Sequence, residues 1–391
     1  NVGYATLAEA VAAAQDGDTV ELLVDVEIKD TTTDQNAGTI AVNKSITIDG
    51  GNHTVKIIDD GKGKGHAFSL TVKDQNTGAY ASGDLTITIK DLVVDGNNVA
   101  KHGINVYGEA GHAIAVTLDN VETKNNRCFG LNVNSAVVNA NDLKASGNGW
   151  GKSVGIDPKY QNASLTISGE NTNLADTYSV DMDNSSSGGA NAASVGISEG
   201  TYTQLLQSSP DNTTFAVSGG TFTSVVPDDF CADGFIPAEQ DPDTGLYTVK
   251  TGTFYDVWVG GTRITSANAA DVFGDGKVSY DPATATLTLN GYTYSGAGHE
   301  GSAVYTAGDI AVVVAGGCYF LGGFGRLFVP TAFNAGTGRF AFDSIVPTML
   351  GQNLPDVLMA LVLLLVLSAS MSTLASLVLT SSSTMTLDLI Y

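Results

Sequence analysis

Asp181 and Asp183 stand two positions apart in an alternating stretch, so an extended chain places both on one face. Paired carboxylates are the groups that glycoside hydrolysis needs, one as acid and one as base or nucleophile. Asp91, Asp119 and Asp142 recur near the corners of similar segments and are expected to stack near one another. Cleavage by proton abstraction instead needs a basic side chain beside acidic calcium ligands. Arg127 is the single arginine before residue 250, and no acidic cluster adjoins it in sequence. No catalytic residue is assigned on this reading: these Asp, and the Asn around them, are solvated corner residues.

Aromatic rings offer a different chemistry, apolar faces for the C–H groups of sugars. Trp258 with Tyr255 and Tyr280 is the leading candidate for such a platform, and Trp150 with Tyr160 is a second. Asp271, Asp275 and Gly276 resemble a calcium turn but lack EF-hand spacing. His66, His102 and His112 are scattered among Gly-rich loops. Asn97, Asn126 and Asn148 occupy similar positions in successive segments. They are expected to form a structural ladder, because Asn tolerates a left-handed corner and its amide pairs buried backbone.

The elements that hold these residues repeat. Ser45 to Val55 gives alternating Ile46 and Ile48, a Gly-Gly-Asn corner and a second alternating run. Similar units place Leu92, Val121 and Leu143 at steps of 29 and 22 residues. Short strands repeating at this period predict a coiled solenoid whose stacked turns bury one another's apolar edges. Tyr4 to Gln15 reads as an amphipathic helix ended by Gly17, placed to cover the first open edge. Residues 59–83 and 184–191 are expected loops. Pro227, Pro237 and Pro242 mark the end of the stack. The chain is thus expected to be mainly β, with a parallel β-helix over 1–250 and a small all-β module over 254–317. Residues 318–391 follow, and about 356–388 of them, uncharged between Asp356 and Asp388, are long enough for a transmembrane α-helix.

Composition narrows the partners. The 391 residues carry 18 Lys and Arg against 41 Asp and Glu, a formal charge of -23, which argues against phosphate-mediated nucleic-acid binding. Cys128, Cys231 and Cys318 are odd in number and far apart, implying no disulfide framework and no zinc site. No signal peptide is visible, so the chain reads as a processed form or a fragment.

Three stretches resemble known families. TLAEAVAAAQDGDTVEL is similar to the entry cap of right-handed parallel β-helix proteins of the pectate-lyase-like superfamily. Residues 217–249 resemble the closing segment after β-helical repeats in bacterial cell-surface proteins. YDVWVGGTRITSANAADVFGDGKVSYDPATATLTLNG resembles a small carbohydrate-binding module of bacterial surface proteins. These resemblances imply an extracellular or cell-surface scaffold for residues 1–317. Its partners would be glycans or a host or cell-wall surface, and it would need no cofactor. A polysaccharide lyase or hydrolase is the alternative.

Residues 342–391, FDSIVPTMLGQNLPDVLMALVLLLVLSASMSTLASLVLTSSSTMTLDLIY, resemble the sodium/solute symporter family near the eighth helix of its ten-helix core. That resemblance implies membrane contact through this helix. It also implies a sodium site using the Ala369 carbonyl and the Ser372 and Thr373 hydroxyls, with oxygen ligands suited to a hard cation. The site is incomplete, because nothing here resembles the first core helix that supplies its partners. The segment is therefore expected to transport nothing alone. The join near 317–319 reads as a chimeric reading frame, with a natural single-pass anchor as the competing account.

Overall fold

The computed structural model describes residues 2–59, 61 and 63–315, and the backbone of 333–334 and 339–340. It divides the chain into two units, Asn1–Phe254 and Tyr255–Tyr391.

The first unit is mainly β and winds as successive coils, each adding strands in parallel register to those of the coil before. Three faces result. The first sheet runs through Thr19–Glu21, the start of Thr47–Asp59 and of Leu85–Asp95, and on to Thr213–Val217. The long strands Thr47–Asp59, Leu85–Asp95 and Ile114–Lys124 bend at a corner and continue into the second sheet. Gly38–Val42, His66–Thr71, Ile104–Tyr107, Phe129–Asn134 and Lys152–Asp157 build the third, which continues into Asn173–Asp183. This pairing is that of a parallel β-helix-like fold. Coil length varies from 20 to 41 residues because the loops vary.

Alternation explains the core. In Ile114–Lys124, Ile114, Val116 and Leu118 point inward while Thr117 and Asp119 stay exposed. Leu92 lies in register with Val121; Lys144 pairs with Glu122, which brings Leu143 into line with Val121, and Leu92, Val121 and Leu143 are all buried. Each such Leu, Ile or Val gains about 1.5–3 kcal/mol by leaving water.

The corner between the first two sheets needs left-handed backbone, and polar residues supply it. Asp91, Asn120 and Asp142 have φ of 51, 53 and 52°. Asn and Asp tolerate this region and bond locally. Asn120 donates to the Asp91 carboxylate at 2.7 Å, and Asn171 donates to Asp142 at 3.0 Å through its backbone. Asp119 instead takes the Asn141 amide at 2.8 Å. Asp91, Asp119 and Asp142 are thus spent on separate amides, and the expected carboxylate stack does not form.

Leu7–Ala13 is the helix at the start of the stack, opened by Thr6, whose hydroxyl accepts the Glu9 N–H at 3.2 Å. Leu7 and Val11 join the core with Ile40 and Val42. Lys44 donates to the carbonyls of Ala12 and Ala14 at 2.6 and 2.7 Å, closing the helix end. At the other end, Thr221–Phe222 pairs antiparallel with Tyr247–Thr251, and Phe230 packs on Phe215 at 4.5 Å.

In the second unit, Phe254–Val259 pairs with Val304–Thr306, and Thr286–Asn290 lies between Val278–Asp281 and Ala311–Ala315. Val257, Val259, Ile264, Val278 and Leu287 form its core. Among the described residues no helix is long and apolar enough to cross a membrane. The expected span at 356–388, and Ala369, Ser372 and Thr373 with it, lie outside the described residues.

Candidate functional site

The outer face of the third sheet carries a groove of about 470 Å³. Its floor is an in-register column, Ser69, Asn105 and Asn132, in which Asn132 donates to Asn105 at 2.7 Å. One amide hydrogen bond within the pair leaves a spare donor on one residue and a spare acceptor on the other.

Rings border this floor on both sides. On one side His66 stacks on His102 at 4.9 Å and His102 on Phe129 at 5.3 Å. Phe129 lies across Gly155, where a Cβ would collide with the ring. Trp150 meets Phe129 edge-on at 5.1 Å and remains 56% exposed. On the other side Tyr107 and Tyr160 meet at 5.6 Å in a T. Burial and the neighbouring Tyr160 raise the Tyr107 phenol, while the hydrogen bond with Tyr107, helped by Lys159, lowers that of Tyr160.

The histidines are neutral. Burial, with Lys101 nearby, depresses His66 to about 3. Burial depresses His102 to about 2, and its Nδ1 accepts the Phe129 N–H at 3.1 Å. His66 Nδ1 is buried with no hydrogen-bond partner.

A strap forms the rim. Residues 72–81 fold back, with Lys73 bridged to Tyr80. Lys73 and Glu109 pair at 2.7 Å, the Tyr80 phenol donates to Glu109, and Tyr80 stacks on His112 at 3.8 Å. Burial alone would raise the Glu109 carboxyl, but the hydrogen bonds from Lys73 and Tyr80 outweigh it and hold the group low.

Farther along the same face lie three carboxylates. Gly155 is in register with Asp181 and Ile156 with Met182, so Asp157 and Asp183 are neighbours across coils. Asp181 is buried, pairs with Lys152 at 2.6 Å and accepts from Ser208 at 2.6 Å. Burial, and secondarily Asp183, push the Asp157 carboxyl upward, although Ser186 donates to it. Sequence reasoning singled out Asp181 and Asp183 and missed Asp157, whose proximity depends on coil register.

The ladder is shifted from its expected place. Asn126 donates to Asn148 at 2.9 Å, and Asn148 donates to Asp176 at 2.6 Å through its amide and 2.9 Å through its backbone. Asn97 does not join: it is exposed, with φ of 50°, and its N–H bonds to Asp95. The adjacent Gly96 abuts Asn126 instead.

The proposed platform in the second unit is also divided. Tyr255 and Tyr280 meet at 5.2 Å and pack on the core. Trp258 alternates to the opposite face from Val257 and Val259. It is stacked on His299 at 4.3 Å, with the Arg263 guanidinium 4.8 Å from its ring. Its neighbours thus occupy the ring, and the three residues form no single platform. In the loop above, Asp271 accepts the N–H groups of Asp275 and Gly276 at 3.2 and 2.9 Å. Among the described residues no group of three or more His, Cys, Asp or Glu gathers as metal ligands.

No protein-family model, curated protein or solved structure matches the chain.

Proposed function

We propose that the first unit is a right-handed parallel β-helix acting at the cell surface as a non-catalytic scaffold that binds glycan chains along its third sheet. The observation that carries this reading is the groove: an amide-and-hydroxyl floor of Ser69, Asn105 and Asn132 between the His66–His102 stack, which the exposed Trp150 meets edge-on, and the Tyr107–Tyr160 pair. Sugars present alternating hydroxyl and C–H faces, and such a site meets both. Trp150→Ala and Tyr160→Ala are each expected to weaken glycan binding about 3- to 10-fold, about 0.7–1.4 kcal/mol. Calorimetry with the oligosaccharide found on a glycan array checks this. Unchanged affinity in both variants removes the groove as the binding site.

A second reading, polysaccharide hydrolysis, is favoured by Asp157. Burial raises its carboxyl, and it lies one coil (about 4.8 Å) from Asp183, so two carboxyl groups stand as close together as hydrolysis requires. New reducing ends released by the wild-type chain and lost about 100-fold in Asp157→Asn would establish it. No release from a broad glycan panel leaves the binding reading in place.

The sodium/solute symporter resemblance and the uncharged stretch support membrane attachment for residues 318–391. On that resemblance, which covers one of about ten core helices, the segment is proposed to carry no solute by itself.

A further inference from the structure

The outward face of the first sheet is uncharged over two adjacent columns, although the chain is strongly acidic. One column runs in register from Thr19 through Thr88 and Thr117 to Thr166, and ends on Gly196 and Ala216. The parallel column runs from Thr86 through Val137 and Ser164 to Thr214. Neither column contains a charged residue, although the chain carries -23. Charge begins only at the margin, where Asp49 pairs with Lys90 at 2.6 Å. The second sheet shows the contrast, with Lys56, Glu122 and Lys124 pointing outward.

We propose that this face is a second contact surface, which lies flat on an ordered, uncharged polysaccharide. Its geometry is a lattice of small uncharged groups, mostly hydroxyls with Ala115, Val137, Gly196 and Ala216 among them, about 4.8 Å apart between coils and about 6.6 Å apart along each strand, some 30 Å long. An anionic polymer is repelled by the acidic chain, and a cationic one is drawn to the carboxylates elsewhere. An apolar partner would bury hydroxyls without partners, which costs free energy. A neutral polymer with repeating hydroxyls satisfies the face. The two columns hold no aromatic ring and lie on a regular sheet, so the face suits the flat side of packed chains rather than one chain end. Single hydroxyl contacts are weak, about 0.5–1.5 kcal/mol each, but the sheet is already rigid and several act together. A second copy is the weaker occupant, because it would bring two chains of -23 together with little apolar area to gain.

The test is co-sedimentation of the full chain, in mild detergent, with microcrystalline cellulose. Wild type is expected to sediment, equally at low and at half-molar salt. Thr117→Glu/Thr166→Glu, at exposed outward positions, is expected to lower the bound fraction about tenfold with an unchanged urea midpoint. Should that variant fold poorly, Thr88→Lys/Ser164→Lys serves in its place. Trp150→Ala/Tyr160→Ala, which disables the groove, is expected to sediment like wild type. Failure of wild type to sediment, suppression by salt, or undiminished sedimentation of the charged variants overturns the proposal. So does a dimer in sedimentation velocity that the charged variants abolish, since that makes a second copy the occupant.

Discussion

Acidification from pH 6.5 to pH 4.5 is expected to cost the first unit about 5 kcal/mol, because of His66 and His102. Folded, they stay neutral down to about 3 and about 2, held there by burial. In the unfolded chain each takes a proton near the ordinary 6.5. Below that pH the unfolded state binds more protons, so stability falls as acid is added; above it the two states match and the contribution is flat. Each histidine gives a slope of about 1.4 kcal/mol per pH unit. Two over two units give about 5 kcal/mol, comparable with the whole stability of many domains. The groups facing His66 are Lys101 and Arg127, which add to the depression, and Asp30, which opposes it. Glu109, held low by its latch, weakens the fold in the same direction as it is protonated. Asp157, raised in the fold, opposes the loss. His66→Phe keeps a ring in the column and removes the unpartnered Nδ1. That variant is expected to hold within about 1 kcal/mol of wild type at neutral pH and to halve the acid slope. Urea midpoints by circular dichroism across this range decide the matter. A flat profile, or a full slope in His66→Phe, refutes the assignment.

The histidine column also illustrates what a sequence can and cannot disclose. The apolar edges were legible, because inward residues follow a strict period of two and the corners are marked by Asn, Asp and Gly. Leu92, Val121 and Leu143 are therefore aligned by inspection. His66, His102 and Phe129 are not, because their contacts span loops of unequal length. The same shift misplaces Asn97. The earlier coil carries two extra residues at that corner, the offset falling from 29 at Asp95 and Lys124 to 27 at Ile104 and Leu131, so counting back 29 residues from Asn126 reaches the surface instead of the ladder. Trp258 is different. Its separation from Tyr255 follows from alternation alone, since Tyr255, Val257 and Val259 share one face. The groove was hidden for the first reason: its floor is one residue from each of three coils, and only the register brings them together.

The ladder is where the largest loss from one side chain is expected. Asn148→Ala removes the donor that Asp176 receives at 2.6 Å and the acceptor that serves both the Asn126 amide and its N–H, at 2.9 and 3.3 Å. All three residues are buried, and Asn126 Oδ1 already lacks a partner. An unsatisfied buried amide costs about 1–3 kcal/mol, and a buried carboxylate deprived of a partner costs more. Asp176 keeps Ser153, which donates at 2.8 Å, and the Asn148 N–H, so it is not abandoned. The expected loss is about 3–4 kcal/mol by urea unfolding. Asn97→Gly is the matched control. It keeps the left-handed corner that Gly adopts freely and changes only an exposed side chain, so it should shift stability by about 0.5 kcal/mol or less. Equal losses in the two variants would mean that the corner backbone, rather than the buried amide chain, holds these coils together.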